Sequence, residues 1–221
     1  STWSSQDHSS ITALNEGGFV VSWMSVSPDN GDWDIYAQRY DAQGVAQGDN
    51  FRVNTNTNYG QYNPTITSLN DGGFVVTWKS NYDPSYGWIN SIYGQRYDAQ
   101  GVAKGGEFRL NTDTSGWRDQ PQIVGLSDGG FVATWYGSQN GSDGTDIYAQ
   151  RFDAEGVAQG SEFRINSTTN NEQNTPTITG LSDGGFVITW MSYNNQNGNW
   201  TWDVYGQRFD ADGVARDGEF R

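Results

Sequence analysis

The sequence predicts an all-β fold, a four-bladed β-propeller in which each blade is a sheet of four antiparallel strands. An apolar segment led by two glycines, such as Gly-Gly-Phe-Val-Val-Thr-Trp at 72–78, recurs four times, with the glycine pairs starting at positions 17, 72, 129 and 184. Each interval holds four strand-like pieces. The 29 glycines and the 14% of aromatic residues suit short twisted strands and tight turns better than helices.

The second interval shows how one blade is assembled. Its strands are predicted at 64–69, 74–78, 92–98 and 107–110, and Gly-containing turns join the first to the second and the third to the fourth as hairpins. Four such strands cannot bury both faces alone, so each blade has to stack on its neighbours. A set of repeated tryptophans is therefore expected in the core: Trp23, Trp78, Trp135 and Trp190.

The repeat units fall at about 1–55, 56–112, 113–167 and 168–221, and we expect them to make one propeller domain, 1–221, that completes a full turn. The interval from each repeated Trp to the repeated Tyr that follows it alternates: 23 to 36, 78 to 93, 135 to 148 and 190 to 205. This alternation predicts an ABAB pattern, a duplicated pair of blades with approximate two-fold symmetry.

Charge and composition exclude several classes of partner. The net charge of -14 would repel phosphate backbones and anionic lipid surfaces, so nucleic acid is not expected as a partner. No apolar run approaches the length of a membrane span, and we expect no membrane insertion. The absence of Cys removes disulfides and thiol chemistry. The start at Ser1 suggests a processed or excised segment, whose partners then include other domains of a larger chain.

Tryptophans outside the repeated set indicate a ligand-binding surface. On the predicted topology they lie in the long loops at one face, where Asn, Asp and Ser surround them, and an indole stacks on the C–H face of a sugar ring. We predict a glycan or polysaccharide ligand held by Trp33, Trp88, Trp117, Trp200, Trp202 and Tyr86, with Trp3 on the same face. The alternative is that these aromatic residues only pack over the end of the ring.

Acidic loops suggest calcium. The segments 29–34 and 140–146 concentrate carboxylate and amide oxygens, the ligands that Ca²⁺ prefers, although neither fits the EF-hand loop. Asp34, Asp146 and Asp203 occupy matching places just before the third strand of their repeats and are the predicted metal ligands. Capping of turns is the alternative role for these three residues.

The sequence supports no catalytic site. Asp32 and Asp34 are a conceivable glycosidase pair, but sequence neighbours on alternating faces of a strand are poorly placed for that chemistry. His8 is the only histidine, so a Ser-His relay is hardly available to the Gly-x-Ser-x-Gly matches at 125–129 and 180–184, which lie at hairpins. We therefore expect a protein that is not an enzyme.

The segments Gly-Gly-Phe-Val-Val-Thr-Trp, Ile-Tyr-Gly-Gln-Arg-Tyr-Asp-Ala-Gln-Gly and Glu-Phe-Arg-Leu-Asn-Thr resemble repeats of large secreted bacterial proteins of the RTX and adhesin type. The resemblance covers essentially the whole chain. It implies a secreted, extracellular setting, often with calcium, and transfers no functional residue.

Three functions follow from these observations. The first is a non-catalytic, lectin-like carbohydrate-binding module that holds a glycan by Trp stacking and by Asn and Asp hydrogen bonds. The second is a structural or assembly module of an extracellular adhesin or matrix protein. The third is an enzyme acting on polysaccharide, which would reveal itself by release of product.

Overall fold

The structure, a computed structural model, describes residues 5–138, 144–169, 171–196 and 199–221. These residues form sixteen β-strands in four antiparallel sheets of four strands, and each sheet follows chain order. The predicted fold class, with four-stranded antiparallel blades, is confirmed. Across the same residues there is no helix of the length and apolarity needed to cross a membrane.

The chain divides into two compact units, Ser1–Leu110 and Asn111–Arg221, each with two sheets, which we call blades 1 to 4. In the first unit, blade 1 consists of β1 (Gln6–Ala13), β2 (Phe19–Val26), β3 (Trp33–Tyr40) and β4 (Phe51–Arg52), and blade 2 of β5 (Gln61–Ser68), β6 (Phe74–Ser80), β7 (Ser91–Tyr97) and β8 (Ala103–Arg109). In the second unit, blade 3 consists of β9 (Arg118–Gly125), β10 (Phe131–Gly137), β11 (Asp146–Phe152) and β12 (Ala158–Arg164), and blade 4 of β13 (Gln173–Gly180), β14 (Phe186–Gln196), β15 (Asn199–Phe209) and β16 (Ala215–Phe220).

Each unit has its own hydrophobic core between its two blades. In the first unit, Val20, Met24 and Ile35 of blade 1 cluster with apolar residues of blade 2 that include Phe74 and Trp78. In the second unit, the corresponding face of blade 3 clusters with Phe186, Ile188, Trp190 and Phe209 of blade 4. Burial of apolar surface between blades is the main stabilising contribution to such a stack.

The repeated tryptophans are in the core, with one exception. Trp78, Trp135 and Trp190 are all at most 2% exposed. Trp23 is only partly buried and lines a cavity on blade 1. The prediction is thus confirmed for three of the four indoles.

The repeated glycine pair has two separate structural reasons. Gly72 has a φ of +84°, which side chains rarely adopt, and it turns the chain between β5 and β6. Gly73 lies against the backbone of the neighbouring strand, where a Cβ atom would be 2.3 Å from the carbonyl oxygen of Tyr97. The first glycine is needed for the turn and the second for close approach.

In blades 2, 3 and 4, the arginine of the third strand pairs with the aspartate of the glycine-pair turn. In blade 2, the acidic residue two positions after Arg96 is Asp98, which pairs with Lys104 rather than with Arg96. Instead Arg96 lies 3.5 Å from Asp71 in the glycine-pair turn, and Asp98 accepts backbone N–H bonds from Gln100 and Val102. Arg151 and Arg208 pair in the same way with Asp128 and Asp183.

In blades 2, 3 and 4, the glutamate before the repeated Phe-Arg binds backbone N–H groups of the segment that follows the preceding fourth strand. Glu107 accepts hydrogen bonds from the backbone N–H groups of Thr55 and Asn56. Glu162 accepts them from Thr112, at 2.7 Å, and from Asp113. Glu219 accepts one from Ser167. We call these three interactions the glutamate clasps.

Candidate functional site

The β14–β15 hairpin of blade 4 carries a group of exposed aromatic residues. Its strands have 11 residues each, against 7 in β10 and β11 of blade 3, so the hairpin extends further than its counterpart. Trp200 stacks on Tyr193 with ring centroids 5.1 Å apart, and Trp202 contacts the same ring at 4.9 Å. Trp200 and Trp202 are 51% and 41% exposed, so this predicted aromatic pair is brought together at the surface.

Trp117 lies at the start of β9 in blade 3. Its ring meets that of Tyr136 edge-on, with centroids 5.5 Å apart, and it is 39% exposed. Its backbone carbonyl accepts a hydrogen bond from the N–H of Ser138, which continues the pairing of β9 with β10. Trp117 is thus held by a regular sheet edge while its ring stays accessible.

The first unit has a separate aromatic cluster. Trp88 contacts Tyr59 at 4.1 Å and Tyr82 at 6.2 Å and remains largely exposed. Tyr86 lies 4.9 Å from the guanidinium of Arg109, a cation–π contact. Trp33, by contrast, is partly buried and packs against the core cluster between blades 1 and 2. Of the predicted residues, Trp33 therefore has a packing role, and Trp3 lies outside the described residues.

The predicted calcium ligands are engaged by nitrogen donors. Asn54 donates a hydrogen bond of 2.6 Å to buried Asp34, and Asn166 donates one of the same length to buried Asp146. Arg221 donates to Asp203 at 2.6 Å. Asp34 and Asp146 thereby connect the third strand to the segment after the fourth. Burial and the adjacent Asp146 raise the pKa of Tyr148 to about 12.

Blade 2 also has a buried carboxylate near the start of its third strand, but this carboxylate comes from the loop after the second strand. Ser91 stands where the other blades have Asp, and the buried carboxylate of Asp83, in the loop after β6, accepts the hydroxyl of Tyr93 at 2.7 Å and the guanidinium of Arg109 at 3.2 Å. Burial alone would raise the pKa of Asp83, but these bonds and the N–H of Ser85 outweigh it and lower the pKa. A carboxylate at this place is therefore a structural feature of the blade.

Calcium binding stays a prediction. In the part of the chain that the structure describes, no group of three or more His, Asp or Glu side chains is arranged to hold a metal ion. Residues 139–143, which contain much of the acidic segment 140–146, lie outside that part.

Two carboxylates of the second unit act electrostatically on one partly buried tyrosine, Tyr136. Asp119 of β9 is the register partner of Tyr136 on β10. Glu172, just before β13, accepts with its carbonyl oxygen the N–H of Tyr193 at 2.8 Å. Burial first, and then the negative charges of Asp119 and Glu172, raise the pKa of Tyr136. Two acids from different blades therefore act on the same tyrosine, whose ring meets the exposed ring of Trp117.

The backbone around this site is bent in a way common to the first strand of every blade. Gln120 has a φ of +45° at a β-bulge, and its N–H donates to Oδ1 of Asp119 at 2.7 Å. Equivalent bulges hold His8, Asn63 and Thr175 at positive φ. Because all four blades share the bulge, it belongs to the architecture, and only the residues beside it differ.

Arg118 lies between Trp117 and Asp119 and is fully buried. Its Nη1 donates to the carbonyl of Ser115 at 2.7 Å, and its Nη2 lies 3.3 Å from Asp113. In blades 2 and 4 the same position holds Gln61 and Gln173, which accept the indole N–H of Trp78 and Trp190. A guanidinium cannot accept a hydrogen bond, so Arg118 cannot replace the glutamine. Nε1 of Trp135 therefore has no hydrogen-bond partner among the described residues. Blade 3 thus lacks the hydrogen bond between the glutamine and the core tryptophan. Arg118 instead holds the loop before Trp117 through the carbonyl groups of that loop.

Sequence reasoning missed Asp119, Glu172, Tyr136 and Tyr193 as candidate site residues. The two acids are far apart in the sequence and neither forms part of a motif. The available signal was positional: Asp119 takes the place that Tyr62 and Asn174 hold in the neighbouring repeats.

Known proteins share this fold at low sequence identity. An α-L-arabinanase from Penicillium chrysogenum, in complex with arabinobiose, superposes with a TM-score of 0.69 at 14% identity over 97% of this chain and 66% of its own. An α-L-arabinofuranosidase from Fusarium graminearum gives 0.67 at 12% identity over 96% of this chain, which spans 65% of the enzyme's length. A family-43 endo-arabinanase from Bacillus licheniformis gives 0.53 at 16% identity, covering 95% and 76% of the two chains. No protein-family model matches the sequence, and no curated protein does.

These likenesses overturn two expectations from the sequence. The protein was expected to be a non-catalytic, lectin-like module and not an enzyme, whereas the solved structures that share its fold are glycan-degrading enzymes. The sequence misled because its aromatic loops are conspicuous and its carboxylates are scattered. At identities of 12 to 16% the likeness extends to the fold, and the chemistry of this chain has to be argued from its own residues.

Proposed function

We propose that the protein is a glycoside hydrolase that cleaves polysaccharide at the site formed by Asp119, Glu172, Tyr136 and Trp117. The observation that carries the proposal is that Asp119 is the register partner of Tyr136 and that the negative charge of Glu172, from the next blade of the same unit, acts on the same tyrosine. Hydrolysis of a glycosidic bond generally requires two carboxyl groups flanking the bond. The fold shared with arabinanases supports a carbohydrate substrate.

The residues divide the reaction between them. Asp119, oriented by the N–H of Gln120, attacks the anomeric carbon as a nucleophile and forms a glycosyl ester as the bond to the departing sugar breaks. Glu172 then donates the proton to the oxygen of the departing sugar. In this proposal the hydroxyl of Tyr136, the register partner of Asp119, orients the two acids. Water then enters, and the Glu172 carboxylate takes one of its protons. The attack of this water on the anomeric carbon breaks the glycosyl ester, which releases the Asp119 carboxylate and restores the Glu172 acid.

Aromatic rings next to the acids supply binding to neighbouring sugar units. Trp117 contacts Tyr136 directly. Tyr193, whose ring stacks on Trp200, donates its backbone N–H to the carbonyl oxygen of Glu172. Sugar rings stack on such indoles through their C–H faces. The net charge of -14 favours neutral polysaccharides over acidic ones.

The test is release of reducing ends from arabinan and from a panel of neutral polysaccharides. We expect Asp119→Asn and Glu172→Gln each to lower kcat by at least about a hundredfold while the polymer is still retained. Glu155→Gln and Asp212→Asn, at exposed turns of the same unit, are the matched controls and should leave the rate unchanged. Trp117→Ala should instead raise KM.

Two results would contradict the proposal. One is retention of a polysaccharide without release of any reducing end by the wild-type protein. The other is activity that survives both carboxylate substitutions.

A further inference from the structure

One sheet face in each unit is apolar and uncovered, in contrast to the equivalent faces of the other blades. In blade 4, Val204 is 62% exposed, whereas Ile35 and Ile147 at the same position of blades 1 and 3 are fully buried. Phe220 on the adjacent strand is 50% exposed. We call the surface around Val204 and Phe220 the blade-4 face.

The uncovered face of the first unit is the opposite face of blade 1. Ile11 is 63% exposed, whereas Ile66 at the same position of blade 2 is 6% exposed. Val21, Trp23 and Tyr40 line a cavity of about 640 Å³ on this face. We call the surface around Ile11 and Trp23 the blade-1 face.

The molecule itself shows what covers such faces. Within the first unit, the face of blade 1 that contains Ile35 packs against the face of blade 2 that contains Ile66 and Trp78. Within the second unit, the face of blade 3 that contains Ile147 packs against Phe186 and Trp190 of blade 4. The blade-4 face thus corresponds to the Ile35 surface, and the blade-1 face to the Trp78 surface.

An aromatic residue two positions before the isoleucine or valine belongs to the same surface in blades 1 and 4. Trp33, two residues before Ile35, packs against the core between blades 1 and 2. Trp202 stands two residues before Val204 on β15, on the same side of the strand. Its exposed ring extends the blade-4 face in the way that Trp33 extends the buried one.

We propose that the blade-4 face of one molecule docks on the blade-1 face of a second copy of this chain, in the manner of the blade contacts inside each unit. The occupant is specified by the chain's own contacts, since the pair of complementary surfaces is already used twice within it. Because the two surfaces differ, the association is head-to-tail, and it adds further copies unless it closes into a ring. Isoleucine, valine and aromatic side chains that are now in water become buried at each junction.

The test is sedimentation analysis of the full chain from micromolar to hundreds of micromolar concentration. We expect the wild type to self-associate with rising concentration. Val204→Glu and Ile11→Glu each place a charge on one exposed surface position and should leave the protein folded but monomeric. Val157→Glu, at an equally exposed valine in the β11–β12 turn, is the control and should associate like the wild type.

A mixture of the two variants gives the sharper result. Each variant keeps the surface that the other has lost, so an equimolar mixture should form a dimer that grows no further. A wild type that is monomeric at every concentration, or association unchanged by both substitutions, would overturn the proposal. The readout is independent of polysaccharide cleavage, so a failure of the proposed enzymatic function leaves this test intact.

Discussion

Arg118 shows how one residue can depart from the repeat without disturbing the sheet around it. Its guanidinium is buried, and burial lowers its pKa, while Asp113 and Glu162 oppose that shift. Its bonds to Ser115 and Gly116 fix the loop before Trp117. The stability of this corner therefore depends on a charged group that the equivalent blades do not contain.

Removing that charge should be costly. We expect Arg118→Leu to lower the free energy of unfolding by about 3 kcal/mol, because Asp113 and two carbonyl groups lose their donor in a buried setting. Arg216→Leu removes an exposed partner of Asp210 and should have a clearly smaller effect, because solvent screens exposed ion pairs. Urea unfolding of both variants measures the difference, and equal losses would show that the buried guanidinium contributes nothing specific.

Asp83 links stability to pH. Its pKa is below the ordinary value of 3.8 in the folded protein, so its contribution is present above that pH and is lost as the pH falls through the folded pKa. We expect Asp83→Asn to cost about 3 kcal/mol at neutral pH, since Arg109 and Tyr93 lose a charged acceptor. The difference between variant and wild type should shrink in unfolding curves measured below about pH 4. A difference that stays constant down to pH 2.5 or so would exclude this role.

At the scale of elements, the strands and hairpins were open to prediction because their information is local. Period-two alternation and the glycine pairs located β6 and β7 to within two residues. The first strand of the blade begins earlier than predicted, at Gln61, because its pairing with β6 continues past a bulge at Asn63 and Pro64. The candidate site was not predictable in this way, since Asp119 and Glu172 belong to different blades and act on the same tyrosine only in the folded chain.

The second glycine of each pair gives a test of the hairpin geometry. Gly73→Ala would place a methyl group 2.3 Å from the carbonyl of Tyr97, and we expect a loss of about 2 to 3 kcal/mol or more. Gly106→Ala in β8 meets no atom within 4 Å and serves as the matched control, with little change or a small gain. Thermal and urea unfolding compare the two, and a tolerated Gly73→Ala would contradict the close approach.

At the scale of the whole molecule, charge is the property that the sequence determines without reference to the fold. A net charge of -14 on 221 residues opposes the compact state by self-repulsion, and salt screens that repulsion with a Debye length of about 10 Å at 0.1 M. We expect the melting temperature to rise by a few degrees as NaCl is increased from about 0.02 to about 0.3 M. A neutral osmolyte at equal osmolality is the control. A fall in melting temperature would instead show that ion pairs such as Arg151 with Asp128 outweigh the repulsion.

The glutamate clasps bear on how such a molecule arises. Each clasp joins a side chain of one repeat to the main chain that follows the repeat before it, as Glu107 does with Thr55 and Glu162 with Thr112. A gene segment copied in tandem therefore encodes both the glutamate and the backbone segment that such a glutamate binds. Duplication or deletion can therefore lengthen or shorten this architecture by one repeat. Each added repeat already contains the glutamate that binds the segment before it.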